Sequence, residues 1–235
     1  MLQSRSTSAD TPGMASKLPI RQLVGIPLTV GTFILLMLMG WGDASAFFAH
    51  PARGGLVVLL IIATPVMTAC TSGRDRGVGS KRDVWWFFPA LVFHSLFTCL
   101  VMPYMDARNL WTIPGGDVTR WIGLALFAAG VFLRLGAMLA LGKRFASVIA
   151  VQEGHTLYTG GLYALIRHPS YLGILFMDLG FAGVFRSLLA LALMPLVFVM
   201  FARRMDVEER FLVDRFGDEY EGYRARSARL WPGVY

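Results

Sequence analysis

Cysteine, lysine and charge in general are scarce in this chain. Of 235 residues only two are cysteine, Cys70 and Cys99, and both sit in apolar runs. Neither a disulfide framework nor a cysteine-based metal site can be built from them. Charged residues make up 16% of the chain, against roughly 25% in an average soluble domain. With 55% hydrophobic residues and a mean hydropathy of +0.56, this excludes an ordinary soluble domain, a disordered chain and a fibre. No G-x-G-x-x-G is present, although Gly154, Gly160 and Gly161 share a loop, so a soluble dinucleotide-binding fold is not expected. There is no internal repeat, and no His/Cys cluster supports zinc or haem.

What is present is long apolar segments. A bilayer core about 30 Å thick needs about 20 apolar residues in a helix. Segments 23–41, 55–70, 84–102 and 121–141 fit, the second being short. The apolar run 171–201 is too long for one span and is interrupted at Arg186-Ser187, which predicts a helical hairpin. The expected fold is therefore an all-α, polytopic transmembrane bundle of about six spans. Trp41, Trp85, Trp86, Tyr104, Trp111 and Trp121 fall near span ends, where amphipathic rings favour the interface. Residues 1–20 read as a disordered tail, 21–120 as N-terminal membrane helices, and 121–235 as the functional core.

The net charge of +7 reflects topology rather than nucleic-acid binding. Taking the N-terminus as inside, 17 of the 22 basic residues lie in inner segments, and Arg53, Arg108, Arg120 and Arg186 lie outside. The positive-inside rule then places both termini and the 142–170 loop in the cytoplasm. Arginine outnumbers lysine 19 to 3, a usage typical of GC-rich genomes, and points to a bacterial inner membrane. Arg134 lies inside a span. A charge there is a functional candidate by default, and the expected partner is Asp178. His94 reads as a satisfied core histidine, and Arg224, Arg226 and Arg229 as contacts to anionic headgroups.

Chemistry concentrates in the 142–171 loop and the tail after Phe201. The loop reads GKRFASVIAVQEGHTLYTGGLYALIRHPSY. Pro169 restricts His168 to extended backbone and suits the first turn of a helix. His168, Ser170 and Tyr171 thus gather at a helix N-terminus, a site suited to an anion. In the tail, Arg204 and Glu208 are four residues apart and share a helix face. They form either a surface ion pair or a pair of ligand clamps. Gly217 suits the end of that helix.

The stretch 130–232 resembles the integral-membrane methyltransferases of the isoprenylcysteine carboxyl methyltransferase and phospholipid methyltransferase superfamily. The resemblance rests on Arg134-Leu-Gly-Ala, Phe145, His155-Thr-Leu-Tyr-Thr-Gly-Gly-Leu-Tyr163 and Arg167-His-Pro-Ser-Tyr-Leu-Gly173, followed by Glu208-Glu209, Phe216-Gly217-Asp-Glu-Tyr220, Tyr223 and Pro232. It implies S-adenosylmethionine as methyl donor, held in a cytoplasmic pocket between loop and tail. By motif position, His155, Thr156, Leu157, Tyr158, Tyr163, His168, Pro169, Ser170 and Tyr171 line that pocket. Glu208 or Glu209 holds the donor's ammonium. Arg204 and Glu208 face the acceptor and are the expected catalytic and substrate-binding residues.

The implied acceptor is lipophilic or lipid-attached, with membrane lipids as neighbours and neither nucleic acid nor metal as a partner. A prenylcysteine-like carboxylate is ionised near neutral pH and needs no base. Arg204 then holds one oxygen in its planar fork. A phospholipid or small-molecule amine or thioether is the alternative acceptor. An amine requires a base, for which Glu208 and His168 are candidates. A non-catalytic transporter or sensor that keeps the pocket is the rival from another class, and the lack of repeats counts against it.

Overall fold

A computed structural model describes residues 20–71, 85–142, 156–233 and 235. Among these residues the chain is helical, with only two isolated β-bridges. The helices are α1 (Ile20–Trp41), α2 (Ala44–Phe48), α3 (Pro51–Thr71), α4 (Phe87–Ala107), α5 (Gly116–Leu141), α6 (Pro169–Val184), α7 (Leu188–Phe216) and α8 (Asp218–Arg226). A 3-10 turn, Gly161–Ala164, precedes α6. Five helices, α1, α3, α4, α5 and α7, are long and apolar enough to cross a bilayer. Their outward faces carry side chains such as Phe93 (70% exposed), Phe132 (71%) and Leu196 (67%). Such an exterior is tolerable only in lipid. The chain is an integral, multi-pass membrane protein.

The sequence predicts about six spans; five helices meet the length of one, and the remaining apolar helix, α6, is shorter. Helix α6 has 16 residues, about 24 Å at 1.5 Å per residue, which is short of a bilayer core. It is the first arm of the expected hairpin. The turn falls where the apolar run is broken: Arg186 adopts φ 45°, and the Ser187 hydroxyl caps α7 by accepting from Ala190 N–H (3.2 Å). The turn is clamped from outside the hairpin. Ile113 N–H donates to Arg186 O (2.6 Å) and Leu188 N–H to Trp111 O (2.9 Å). Buried Asp106 accepts from Arg186 Nε (3.0 Å) and from both ends of the Arg120 fork.

Short α6 is held by close backbone approach to α5. A Cβ on Gly130 would lie 2.5 Å from Gly173 O, and one on Gly173 would lie 2.8 Å from Gly130 O. Gly123, Gly180 and Gly183 are equally crowded by the facing backbone. Small residues are what lets membrane helices pack this tightly. Two apolar clusters complete the core. One, with Met37, Phe47, Leu56, Phe127, Phe181 and Phe185, fills the end near the hairpin turn. The other, with Phe87, Leu172, Leu175, Val197, Phe201, Met205 and Leu230, lies at the opposite end, where α6 begins.

Two expectations about charges are corrected. Arg134 does not pair with Asp178. Its Nη1 donates to Ser170 Oγ (2.9 Å) and approaches Ser170 O (3.4 Å). Asp178 instead lies 3.3 Å from His94 Nε2. The reason is helical phase. Arg134 follows Gly130 and Val131 on the α5 stripe that faces the start of α6, whereas Asp178 is nine residues further along α6. The tail arginines do not all face headgroups either, as the site geometry makes plain.

Candidate active site

Helix α7 has 29 residues, about 43 Å at its helical rise. It therefore outruns a bilayer core of about 30 Å. Its last turns, from Phe201 to Phe216, stand clear of the apolar segment and carry the polar residues Arg204, Glu208 and Glu209 to the level where α6 begins. Proline sets that beginning. Pro169 occupies the first position of α6, with His168 before it at φ −123°, ψ 56°: outside the helical region that a following proline disfavours, but not the extended backbone expected.

The segment before α6 is tied to the chain's end by backbone bonds. Arg167 N–H donates to Ala228 O (2.8 Å), His168 N–H to Arg229 O (3.1 Å) and Ala228 N–H to Leu165 O (3.0 Å). Arg167 adds side-chain bonds to Arg224 O (3.1 Å) and Ser227 O. The loop and the tail are thus one unit, with α8 folded between them. Tyr223 of α8 donates its hydroxyl to Tyr163 O (2.7 Å). Burial pushes the Tyr223 phenol up to about 12, with Arg167 pulling the other way. Tyr163 is also buried, and burial raises its phenol together with the nearby Glu208 carboxylate.

Glu209 is the hub. It is 6% exposed, and its Oε1 lies 3.0 Å from Arg167 Nε, 3.0 Å from His168 Nε2 and 3.2 Å from Arg229 Nε. Arg229 also holds Asp206 (2.5 Å). Arg229 is therefore an internal tie and not a headgroup contact, and Arg224 leans to Glu209 Oε2 at 3.9 Å. A carboxylate shared this way is buried at tolerable cost.

Beside this hub lies a second chain of bonds. The His168 ring stacks on Tyr171 (centroids 5.5 Å apart, planes 18° apart). Tyr171 OH donates to Glu208 Oε2 (2.8 Å) and accepts from Arg204 Nε (2.9 Å). Arg204 is 3% exposed, and its guanidinium sits over the Phe87 ring at 4.4 Å. Arg204 and Glu208 do share a face, but they meet through Tyr171, which fixes both. A buried ring face is a favourable seat for a guanidinium.

Of the other expected residues, His155 lies outside the described residues. Thr156 is exposed, and Leu157 and Tyr158 are half-buried. The Tyr158 ring meets Tyr163 edge-on (5.8 Å). Pro169 and Ser170 are buried. The anion cradle expected at the start of α6 is narrow. Pro169 has no N–H, and the N–H groups of Tyr171 (3.1 Å) and Leu172 (3.2 Å) both donate to His168 O. Ser170 is the donor left in that turn. Arg167 and Arg229 were not singled out as site residues. Arg167 stands beside His168 in the motif, which is a usable signal. Nothing in the sequence marks Arg229.

A cavity of about 450 Å³ opens between α7 and α8, lined by Asp206, Glu209, Arg210, Val213, Asp214, Glu221 and Arg224. At about 100° per residue, Asp206, Arg210 and Val213 fall on the side of α7 opposite Arg204 and Glu208. Glu209 is the one expected site residue that borders it.

Residues 121–214 match the sequence model of the isoprenylcysteine carboxyl methyltransferase (ICMT) family. The chain is similar to the protein-S-isoprenylcysteine O-methyltransferase of Schizosaccharomyces pombe, with 37% identity over 137 residues, which is 57% of this chain and 56% of that protein. Against protein-S-isoprenylcysteine O-methyltransferase B of Arabidopsis thaliana the identity is 34% over 139 residues, covering 57% of this chain and 71% of the relative. A probable enzyme of the same name from Oryza sativa subsp. indica is 35% identical over 147 residues, with 61% and 72% covered. The match thus spans little more than half of the yeast protein and over two thirds of the two plant proteins. These relatives are eukaryotic and lend no support to the bacterial origin expected from arginine usage. In fold, the chain is similar to a solved eukaryotic intramembrane Ras methyltransferase, with a TM-score of 0.63 at 20% identity, covering 91% of this chain and 77% of that one. On the family match and on these relatives, two of them covered to more than two thirds, the chain belongs to the isoprenylcysteine carboxyl methyltransferase family.

Proposed function

We propose that this chain is an S-adenosylmethionine-dependent membrane methyltransferase that esterifies the carboxylate of a prenylcysteine-like or other lipophilic acceptor. The observation that carries this reading is the Arg204–Tyr171–Glu208 chain of hydrogen bonds at the mouth of α6. It puts a cation and an anion of fixed orientation side by side at the membrane surface. The relatives' names support the acceptor class.

Residues Thr156, Leu157, Tyr158, Tyr163, His168, Pro169, Ser170 and Tyr171 fit a donor with an adenine, a sulfonium and an amino-acid end. The aromatic faces of Tyr158, Tyr163 and Tyr171 suit a sulfonium. Glu209 already shares its charge with two arginines and a histidine. That leaves Glu208 as the better carboxylate for the ammonium. The bound donor supplies an activated methyl group. Arg204 orients the acceptor carboxylate through its planar fork, with Phe87 and Tyr171 fixing the plane. No base is needed, and positioning supplies the rate. The apolar wall of Phe87, Phe201 and Leu172 suits the acceptor's lipid chain. We place the termini and this junction in the cytoplasm on the distribution of basic residues, and assign methyl transfer to 121–235, with 21–120 completing the bundle.

The test is transfer of radiolabelled methyl in membranes to N-acetyl-S-farnesylcysteine, a phospholipid amine and extracted proteins in parallel. A base-labile ester on farnesylcysteine is expected. His168→Ala should weaken binding of S-adenosylhomocysteine, whereas Arg204→Ala should chiefly raise the KM for the acceptor. Label on the amine alone, or small and equal effects of both substitutions, would overturn the assigned roles.

A further inference from the structure

Arg134 is a permanent charge inside a membrane helix, seven residues before the end of α5. Such a charge is costly unless it is paired. Its two contacts are neutral oxygens, the hydroxyl (2.9 Å) and carbonyl (3.4 Å) of Ser170. Among the described residues it forms no ion pair with a carboxylate. Helical phase puts it on the stripe of Gly130, Val131, Ala137 and Met138, which is buried. It therefore faces α6 and the turn that carries Tyr163, whose hydroxyl approaches Ala137 O (3.4 Å). The residue is half-buried, and none of its nitrogens is sealed from contact without a partner. Both of its contacts are made by Nη1, which leaves Nε and Nη2 without a bond among the described residues. Ser170, which Arg134 contacts, is followed by Tyr171, whose hydroxyl donates to Glu208 Oε2 (2.8 Å).

We propose that Arg134, with the Ser170 N–H beside it, holds a carboxylate: that of the amino-acid end of the methyl donor. This rests on the methyltransferase reading above and deepens it. An amino acid presents an anion and a cation on one carbon. Around Tyr163 and Tyr171 the protein presents Arg134 for the first and Glu208 for the second. A guanidinium fork matches a carboxylate and is the strongest form of such a bond. Ser170 fixes the orientation of the fork and, at the narrow start of α6, supplies the single backbone donor.

The test compares two stable ligands by calorimetry in detergent: S-adenosylhomocysteine, and S-adenosyl-3-thiopropylamine, which differs in lacking the carboxylate. The wild-type protein should bind the first about 10- to 100-fold more tightly, as a charge-assisted hydrogen bond implies. Arg134→Met should remove that preference, lowering affinity for the first ligand and leaving the second within about threefold, while Arg134→Lys should retain part of it. Equal affinity of the wild-type protein for both ligands overturns the inference without any variant. So does a parallel fall for both ligands in Arg134→Met, which is the mark of a residue that only ties α5 to α6. Wild-type protein that binds neither ligand overturns the methyltransferase reading itself and this assignment with it.

Discussion

Tyr171 does at the residue scale what neither Arg204 nor Glu208 does alone. Its hydroxyl is donor to one and acceptor to the other, so a single oxygen sets the distance between the two charges. Tyr171→Phe removes both bonds and keeps the ring stacked on His168. We expect kcat/KM to fall about 10- to 100-fold, since each bond to a charged group is worth about 1.5–3 kcal/mol. The thermal midpoint should fall modestly, because buried Arg204 loses one bond at a cost of about 1–3 kcal/mol, and unchanged kinetics would refute the role. Glu209 differs from its neighbour Glu208 in kind. Glu209→Gln leaves Arg167 and Arg229 without their shared anion in a buried place, and should cost about 3–5 kcal/mol of stability, read as a lower unfolding midpoint in detergent. At this scale the motif told much of the story: His168, Tyr171, Arg204 and Glu208 all meet, as their sequence positions suggested. What it did not reveal was which glutamate is shared among several cations. That depends on Arg229, which is brought back from the far end of the chain by the pairing of 165–168 with 228–229.

At the scale of elements, α6 carries the site and α5 carries α6. The short helix is seated on backbone, through Gly123, Gly130, Gly173, Gly180 and Gly183. Gly180→Leu would drive a side chain into the Phe127 backbone of α5. Overpacking of this kind costs at least 1–3 kcal/mol or so, and separation of the helices would displace Tyr171. Loss of folded, monodisperse protein in detergent is the expected outcome. Gly222→Ala in α8, where a Cβ meets nothing within 4 Å, should instead raise stability by about 0.5–1 kcal/mol. The same Cβ logic explains why spans were easier to find than partners. Apolar length marks a helix, but no period in the sequence states which face of α5 meets α6, so Arg134 was matched to Asp178 when its contact is Ser170. The hairpin was legible because Arg186-Ser187 breaks an apolar run that is otherwise continuous. Composition did not show how short the first arm of the hairpin is, since a 16-residue helix and a longer one read alike within a continuous apolar run.

The whole molecule joins two ends with different tasks. Near the hairpin turn, Asp106, Arg120 and Arg186 lock α4, α5 and the turn together. At the other end, the start of α6, the end of α7 and the tail close around Glu209. The all-α membrane architecture followed from charge scarcity and apolar length alone, but the closing of loop on tail is a tertiary event written only in motif form. The N-terminal helices show the limit of such reading, since hydrophobicity was the one signal they offered. The most direct measurement is a structure of the protein in detergent or nanodisc with S-adenosylhomocysteine bound. The account predicts the ligand among Tyr163, His168 and Tyr171, its sulfur turned toward Arg204. Ligand seated between α7 and α8 against Asp214 and Arg224, or no ligand at saturating concentration, would contradict it.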